Sequence, residues 1–264
     1  MSKTRIHYMA TRADGTVPPT DELYASAARR DGEPVWTTNL ADHIGRTIVI
    51  PDPSPGFYTD RPFPYFHMIT RPGEVLEGWT EDWGWPIRLW IVEPRGETNN
   101  WGGSYYPYWM LSHQIHVVAE TEVWRAFGHR GVQVQQTLDQ IPDLARQWAA
   151  RWAADPRAAH DAHAAWTEQM DERHALDWWV RIRAQYSRRT AALNTATRLA
   201  QDAAEQAATA AGVDTETVTA IRLRARALIT GQLLHDRIRT GEHEKSIRAL
   251  LLGAGLELPV PVAV

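Results

Sequence analysis

Two pairs of histidines are the first side chains whose spacing could support chemistry. His113 and His116 are three positions apart, and so are His160 and His163, which can face the same way on an alanine-rich helix. A protein metal site needs further ligands, and neither pair has a third one close by in the sequence. We therefore expect no metal site and interpret His160 and His163 as solvated surface side chains, with a metal site there as the alternative.

Several kinds of catalytic and binding site are excluded by residues that the chain lacks. The 264 residues include no cysteine, so there is no disulfide framework, thiolate zinc site or cysteine nucleophile. The phosphate-cradling patterns GxxxxGK[ST] and GxGxxG are absent, and so is the zinc-protease pattern HExxH. A nucleotide, if one is bound, must be held by a different arrangement.

Two apolar segments are typical of strands that would position a site between them. The first, RLWIVEPRG (residues 88–96), is expected to stop at Glu93-Pro94 and to turn at Gly96. The second, IHVVAETEVW (residues 115–124), follows after the polar, aromatic-bearing segment GETNNWGGSYYPYW. The pattern predicts two strands joined by a loop of residues 96–109.

This strand pair resembles the central strands of the rifamycin-inactivating type of ADP-ribosyltransferase. In that family a strand ending VEP-x-G leads through a polar loop into a strand of the LRVV-x-EV-x-W kind. The resemblance implies an α+β fold built as a small split sheet around a cleft that holds NAD as cosubstrate. It implies transfer of ADP-ribose to an acceptor, which the sequence does not identify as a small molecule, a protein or a nucleic acid.

The segment IHYMATRA (residues 6–13) is similar to the first strand of the same family, which reads Tyr-His-Gly-Thr and then a basic residue. Tyr8, Thr11 and Arg12 match that pattern, but Met9 stands where the family has its histidine. The resemblance implies that His7 or Tyr8 contacts the NAD ribose. Because methionine cannot donate the family's hydrogen bond, either His7 substitutes for that histidine or the site is altered. A surface histidine on a first strand is the alternative.

Three further positions follow from the resemblance. The segment PVWTTNLADHIG (residues 34–45) is similar to the family's second strand, which implies that Trp36 stacks on nicotinamide and that the hydroxyl of Thr37 or Thr38 lies beside it. A core tryptophan is the alternative. Gln114 could hydrogen-bond a ribose, although it carries no charge.

Glu97 is the only carboxylate in the segment where the family carries its acidic catalytic residue. Departure of nicotinamide leaves an oxocarbenium-like ribose, and a nearby carboxylate stabilises that charge. The resemblance thus implies that Glu97 is the catalytic acid. A solvated turn residue beside glycine is the alternative.

Composition divides the chain near residue 136. Before it, short β-type runs are broken by proline and glycine turns, and after it the chain is rich in alanine and almost free of proline. We predict an ADP-ribosyltransferase-like α+β domain over residues 1–136 and an α-helical domain over residues 137–264.

In the helical half the pattern predicts helices over residues 139–154, over a long segment ending near Ala211, over residues 215–239 and over residues 242–252. Gly212 is expected to cap one helix and Asp214 to begin the next. We expect the long segment to form an antiparallel hairpin with the helix after Asp214. Such a hairpin is a candidate surface for homo-oligomer formation.

Hydropathy and net charge limit where the protein can reside and what it can bind. The N-terminal segment lacks an apolar signal region, and no run reaches the length of a membrane span, so we expect a cytoplasmic protein with no membrane partner. A net charge of −4 implies no basic field over the whole chain. Two other functions remain open. One is a non-catalytic binding or assembly protein that uses a degenerate form of the same fold, and the other is a DNA-associated protein that contacts phosphates through Arg222, Arg224, Arg226, Arg237 and Arg239.

Overall fold

The computed structural model describes the chain in segments, and contacts divide it into two compact units, Met1–Gly128 and His129–Val264. The described residues combine an antiparallel sheet with helices, so the α+β class predicted from the sequence is confirmed. No described helix is both long enough and apolar enough to cross a membrane. The described residues are 6–17, 29–30, 33–34, 38–50, 65–75, 84–99, 109–158, 161, 164 and 187–233.

The first unit is built from strands and short 3-10 helices. The 3-10 helices begin after strands or turns and span Leu40–His43, Pro72–Glu74 and Val123–Arg130. The strands in its described part are β1 (His7–Arg12), β2 (Thr16–Val17), β3 (Arg29–Arg30), β4 (Glu33–Pro34), β5 (Thr38–Asn39), β6 (Thr47–Val49), β7 (Phe66–Ile69), β8 (Ile87–Asn99) and β9 (Trp109–Thr121).

Four strands close a ring of antiparallel neighbours. β1 pairs with β8 and with β7, β7 pairs with β9, and β9 pairs with β8. One edge of β9 faces β8, while its other edge faces β7 first and then β6. The remaining strands form two small ribbons, β2 with β5 and β3 with β4. Ring closure leaves β8 and β9 as the strands with the longest pairing in the unit.

β8 and β9 are longer than the sequence analysis predicted. β8 continues to Asn99 and does not stop at Glu93-Pro94, because the Gly96 backbone is left-handed with φ +65° and lets the strand resume after a bulge. β9 begins at Trp109 and not at Ile115. Most of the predicted loop of residues 96–109 is therefore strand at both ends.

A second irregularity bends the same strand pair near its other end. Ile91 faces Ala119 and Val92 faces Val117, so Val118 is one extra residue on β9. Such bulges increase local twist and bend the bulged strand. The two irregularities lie on opposite strands, and the bending they produce allows a sheet of few strands to close on itself.

Alternate residues of the ring strands point inward and form the core. Trp90 and Met9 face each other across β8 and β1 and are 0% and 1% exposed. The indole N–H of Trp90 donates a 2.9 Å hydrogen bond to the Thr11 hydroxyl, so its one polar group is satisfied inside the core. The inward cluster consists of Met9, Val17, Leu40, Ile48, Ile50, Phe66, Met68, Trp90, Val92, Ile115 and Val117.

An ion pair covers the outer end of this core. The Arg88 guanidinium lies 4.6 Å from the centre of the Trp90 ring and donates to both carboxylate oxygens of Glu120, at 2.8 and 2.6 Å. These hydrogen bonds lower the pKa of Glu120 and raise that of Arg88. Because Glu120 is on β9, the pair ties the two long strands together at their ends.

The second unit contains three described helices that pack pairwise: α1 (Gly131–Ala154), α2 (Ser187–Ala210) and α3 (Thr215–Leu233). α1 ends before Asp155 as predicted, but it begins at Gly131 and not at residue 139. Pro142 lies inside the helix. The buried stripe already includes Val134 and Leu138, and packing of these residues extends the helix toward its start.

α2 and α3 form the predicted hairpin. α2 ends at Ala210, and Gly212 adopts φ +73°, the left-handed conformation expected just beyond a helix. Asp214 begins α3, since its carboxylate accepts from the Thr217 N–H at 2.9 Å and from the Thr217 hydroxyl at 2.8 Å. The predicted helix of residues 242–252 lies outside the described residues, and so do residues 165–186 of the long segment.

Arginines of α3 take part in packing within this unit. The Arg224 guanidinium lies 4.9 Å from the ring centre of Trp148 and 5.8 Å from that of Trp152, both on α1. Arg222 pairs with Glu205 of α2 at 3.2 Å. Arg237 and Arg239 lie outside the described residues. The arginine face considered for phosphate contacts is thus partly engaged in holding the helices together.

His67 makes the stability of the first unit depend on pH. It lies on β7 with 8% of its surface exposed, and burial lowers its pKa from 6.5 to about 3. The folded state therefore holds the ring neutral where an unfolded chain would protonate it. Its contribution to stability is complete above about pH 6.5 and is lost as the pH falls toward about 3.

Acidification should destabilise the wild type more than a His67→Leu variant, which has no proton to exclude. Between about pH 7 and about pH 4.5 we expect the His67 share of the loss to be about 2 to 3 kcal/mol of unfolding free energy. Urea unfolding of both proteins at the two pH values measures the difference. Equal losses in both proteins would contradict this assignment.

Candidate functional site

The candidate site is centred on a glycine bulge in β8. Two residues of β8, Gly96 and Glu97, lie opposite the single residue His113 of β9, and Gly96 supplies the left-handed backbone with φ +65°. A glycine in this conformation at the first bulge position is a recognised bulge type, and such bulges re-aim side chains beside active sites. The flanking pairs that fix this register are Arg95 with Gln114 and Thr98 with Ser112.

Ser112 holds the bulge in place from inside the sheet. Its side chain is fully buried, and its hydroxyl oxygen lies 2.8 Å from the carbonyl oxygens of both Arg95 and Gln114 and 3.2 Å from that of Glu97. The same oxygen accepts the Gln114 N–H at 3.1 Å. The Ser112 hydroxyl therefore has one proton to donate to one of these carbonyl oxygens, and it also accepts from the Gln114 N–H beside the bulge. The backbone of Glu97 is fixed although its side chain is exposed.

Glu97 presents an exposed carboxylate beside a histidine. Within the part of the chain that the structure describes, Glu97 forms no ion pair, whereas Glu93 pairs with Arg95 at 2.7 Å. Partial burial lowers the pKa of His113, and the negative charge of Glu97 acts in the opposite direction. The Glu97 carboxylate thus lies close enough to act on the charge of the His113 ring.

Gln114 completes the polar group at the bulge. A Cβ placed on Gly96 would lie 3.3–3.4 Å from the side-chain amide atoms of Gln114, so the amide packs directly against this glycine. The structure therefore places two of the residues predicted from the sequence, Glu97 and Gln114, at the bulge, and it adds His113 opposite Glu97. His113 and Gln114 are consecutive on β9, so their side chains point to opposite faces of the sheet. A carboxylate beside an imidazole can stabilise a developing positive charge.

The candidates on β1 lie elsewhere along β8. His7 is 1% exposed and faces Val92, while Tyr8 is half-buried on the opposite face of β1 and faces Ile91. Glu97 lies six residues farther along β8 than Ile91, which is about 20 Å of strand. His7 and Tyr8 therefore lie beside the middle of β8, whereas Glu97 lies near the end of the strand at Asn99.

The motif residues that follow on β1 have structural roles. Met9, at the position of the family's histidine, packs in the core with 1% exposure. Thr11 is fully buried and accepts the Trp90 N–H. Trp36 and Thr37 lie outside the described residues, while Thr38 belongs to β5 and faces Val17.

The described residues also bear on metal binding and on the two histidine pairs. Among the residues that the structure describes, no group of three or more His, Asp or Glu side chains could hold a metal ion. His113 and His116 are three apart on a strand, which directs them to opposite faces of the sheet. His160 and His163 lie outside the described residues.

The sequence analysis missed Ser112 and the role of His113. From the sequence, His113 is a member of a histidine pair with His116 and stands with Gln114 where related families carry a glutamate, and neither observation predicts a role beside Glu97. Ser112 carries no recognisable motif. The one available signal was Gly96, because a glycine inside a strand pattern often marks a bulge. Once a bulge is placed at Gly96, the pairing of β8 with β9 identifies His113 as the residue opposite it.

Comparison with known proteins adds no assignment. No protein-family model, no curated protein and no solved structure matches the chain. Function must therefore be argued from the residues and their geometry.

Removing the Ser112 hydroxyl should loosen the bulge. We expect Ser112→Ala to lower the unfolding free energy by about 1 to 3 kcal/mol, because a backbone carbonyl loses its hydrogen-bond donor and the Gln114 N–H loses its acceptor. Urea unfolding measures the loss. The exposed hydroxyl of Thr47 provides a matched control, and Thr47→Val should change stability by less than about 0.5 kcal/mol. Equal effects of the two substitutions would contradict the role given to Ser112.

Proposed function

We propose that the first unit is an ADP-ribosyltransferase-like domain that transfers ADP-ribose from NAD to an acceptor. The observation that carries the proposal is the exposed, unpaired carboxylate of Glu97, held on a bulge whose backbone is fixed by Ser112 within the described residues. Such a rigid backbone suits a catalytic acid, since it holds the carboxylate charge at the position where the transition state develops positive charge. The match of Glu97 to the acidic position of the rifamycin-type enzymes supports the same role.

The proposed reaction requires little from the protein beyond charge and position. The bond between the ribose C1′ and the nicotinamide nitrogen breaks, and nicotinamide leaves with the bonding electrons. The ribose then carries an oxocarbenium-like positive charge, which Glu97 stabilises until a nucleophile of the acceptor forms the new bond. The acceptor is a small molecule, a protein or a nucleic acid.

NAD contacts are assigned to the remaining candidates within this proposal. Gln114, which packs against Gly96, would hydrogen-bond the reacting ribose. Tyr8 and His7, beside the middle of β8, would contact a different part of the dinucleotide. Trp36 would stack on nicotinamide, and Thr37 would place a hydroxyl near it. His7 would have to gain exposure to do so, since it is 1% exposed here.

One observation favours a second function. Met9 occupies the family's histidine position and is part of the core, so the hydrogen bond that this histidine makes to ribose is missing there. A chain that has lost this contact could serve as a non-catalytic binding or assembly protein. The hairpin of α2 and α3 would then supply the interaction surface, including one between copies of the chain.

Replacing the Glu97 carboxylate should separate the two functions. With NAD as the only added substrate, water takes the place of the acceptor nucleophile, forms the new bond to C1′ and loses its proton to solvent. We expect the wild type to release nicotinamide in this way and Glu97→Gln to do so about a hundredfold more slowly, because the amide carries no charge. NAD-dependent thermal shifts should persist in the variant. Glu122→Gln, which also removes an exposed carboxylate, is the matched control and should retain the wild-type rate.

Three results are distinguishable in this assay. Loss of release in Glu97→Gln alone supports the enzyme. Release that is equal in all three proteins would remove Glu97 from the mechanism. Absence of both release and NAD binding in the wild type would favour the assembly protein.

A further inference from the structure

His113 is the residue that the bulge places directly opposite Glu97. Gly96 and Glu97 lie opposite His113 on β9, and the Ser112 hydroxyl contacts the backbone N–H and C=O of Gln114, immediately after His113. Cross-strand neighbours on one face have Cβ atoms about 4.5 to 5.5 Å apart, although a bulge alters this spacing. The field of the Glu97 carboxylate reaches the His113 ring, in agreement with this register.

We infer that His113 is a positioning residue that controls Glu97: as a neutral ring it leaves the carboxylate charge available to the reacting ribose, and as an imidazolium it compensates that charge. The inference rests on the proposed function, because it needs a reaction in which the Glu97 charge matters. It assigns His113 no contact with NAD. The residue acts through Glu97 and sets the pH range in which the carboxylate can work.

The opposite charges of an imidazolium and a carboxylate explain why the His113 ring must be neutral. An imidazolium a few ångströms from a carboxylate offsets much of the field that the carboxylate exerts on a third group. Stabilisation of an oxocarbenium-like ribose depends on that field. Protonation of His113 should therefore slow the bond-breaking step without removing the binding surface for NAD.

The surroundings of His113 keep the ring neutral at ordinary pH. Partial burial lowers its pKa, and Glu97 on β8 is the charged group that opposes this effect. β7, which pairs with the same end of β9, contributes His67, whose pKa of about 3 leaves it neutral. β6, Thr47–Val49, contributes no titratable side chain. Among the described residues, Glu97 is thus the group to which the titration of His113 should respond.

The pH profile of nicotinamide release tests the catalytic half of this inference. In the wild type, kcat should fall at low pH as His113 becomes protonated, while KM for NAD changes little. In His113→Gln, which keeps a polar side chain that does not titrate in this range, the acid limb should move to lower pH by about one unit or more. His116→Gln, a histidine on the other face of β9, is the matched control and should keep the wild-type profile.

Titration of the His113 ring by NMR tests the coupling without any activity. The Glu97→Gln substitution removes the charge that favours the imidazolium, so the pKa of His113 should fall further than it does in the wild type. An unchanged His113 titration in Glu97→Gln would overturn the inference, whatever the enzyme does.

The kinetic outcomes separate the inference from the proposed function. Release of nicotinamide with the same acid limb in wild type and His113→Gln would overturn the inference and leave the function standing. No release from the wild type at any pH would overturn both. The expected result is an acid limb of kcat that lies at lower pH in His113→Gln, together with a lowered His113 pKa in Glu97→Gln.

Discussion

The pairing of β8 with β9 is the constraint on which the first unit depends. These two strands close the ring, carry much of the core and hold the candidate site at a bulge between them. The ring closes because each strand has one extra residue at a different place, Glu97 with Gly96 on β8 and Val118 on β9. Fold and site therefore share a cause, since the bulge that bends the sheet also exposes Glu97.

Buried polar groups make this arrangement specific. Ser112 is fully buried, yet its hydroxyl lies within hydrogen-bond distance of three carbonyl oxygens and accepts the Gln114 N–H, so a different register would leave the hydroxyl without these partners. At the other end of the pair, Arg88 and Glu120 join the strands by a two-point hydrogen bond over Trp90. The strand pair is thus fixed at both ends by polar contacts and along its middle by packing.

Local patterns in the sequence were sufficient for features that depend on neighbours in the chain. The α+β class, the end of α1 at Ala154, the glycine beyond α2 and the Asp214 cap of α3 all follow from short-range chemistry. Pairing between distant segments was not accessible in the same way. Pro94 and Gly96 indicated a strand end locally, but pairing with β9 carries β8 through both residues. The start of α1 was missed for a similar reason, because packing of buried residues such as Val134 and Leu138 extends the helix ahead of residue 139.

The residues of the candidate site also differ in whether the sequence alone could identify them. Glu97 and Gln114 could be chosen from the sequence by motif and residue type, whereas Ser112 and His113 acquire their roles only from the bulge register. A crystal structure of the protein with NAD is the most direct measurement of the central claim. The account predicts that the nicotinamide ribose lies against the bulge, with Glu97 as the carboxylate nearest to C1′. Density for NAD at a different surface, with Glu97 facing only solvent, would contradict it.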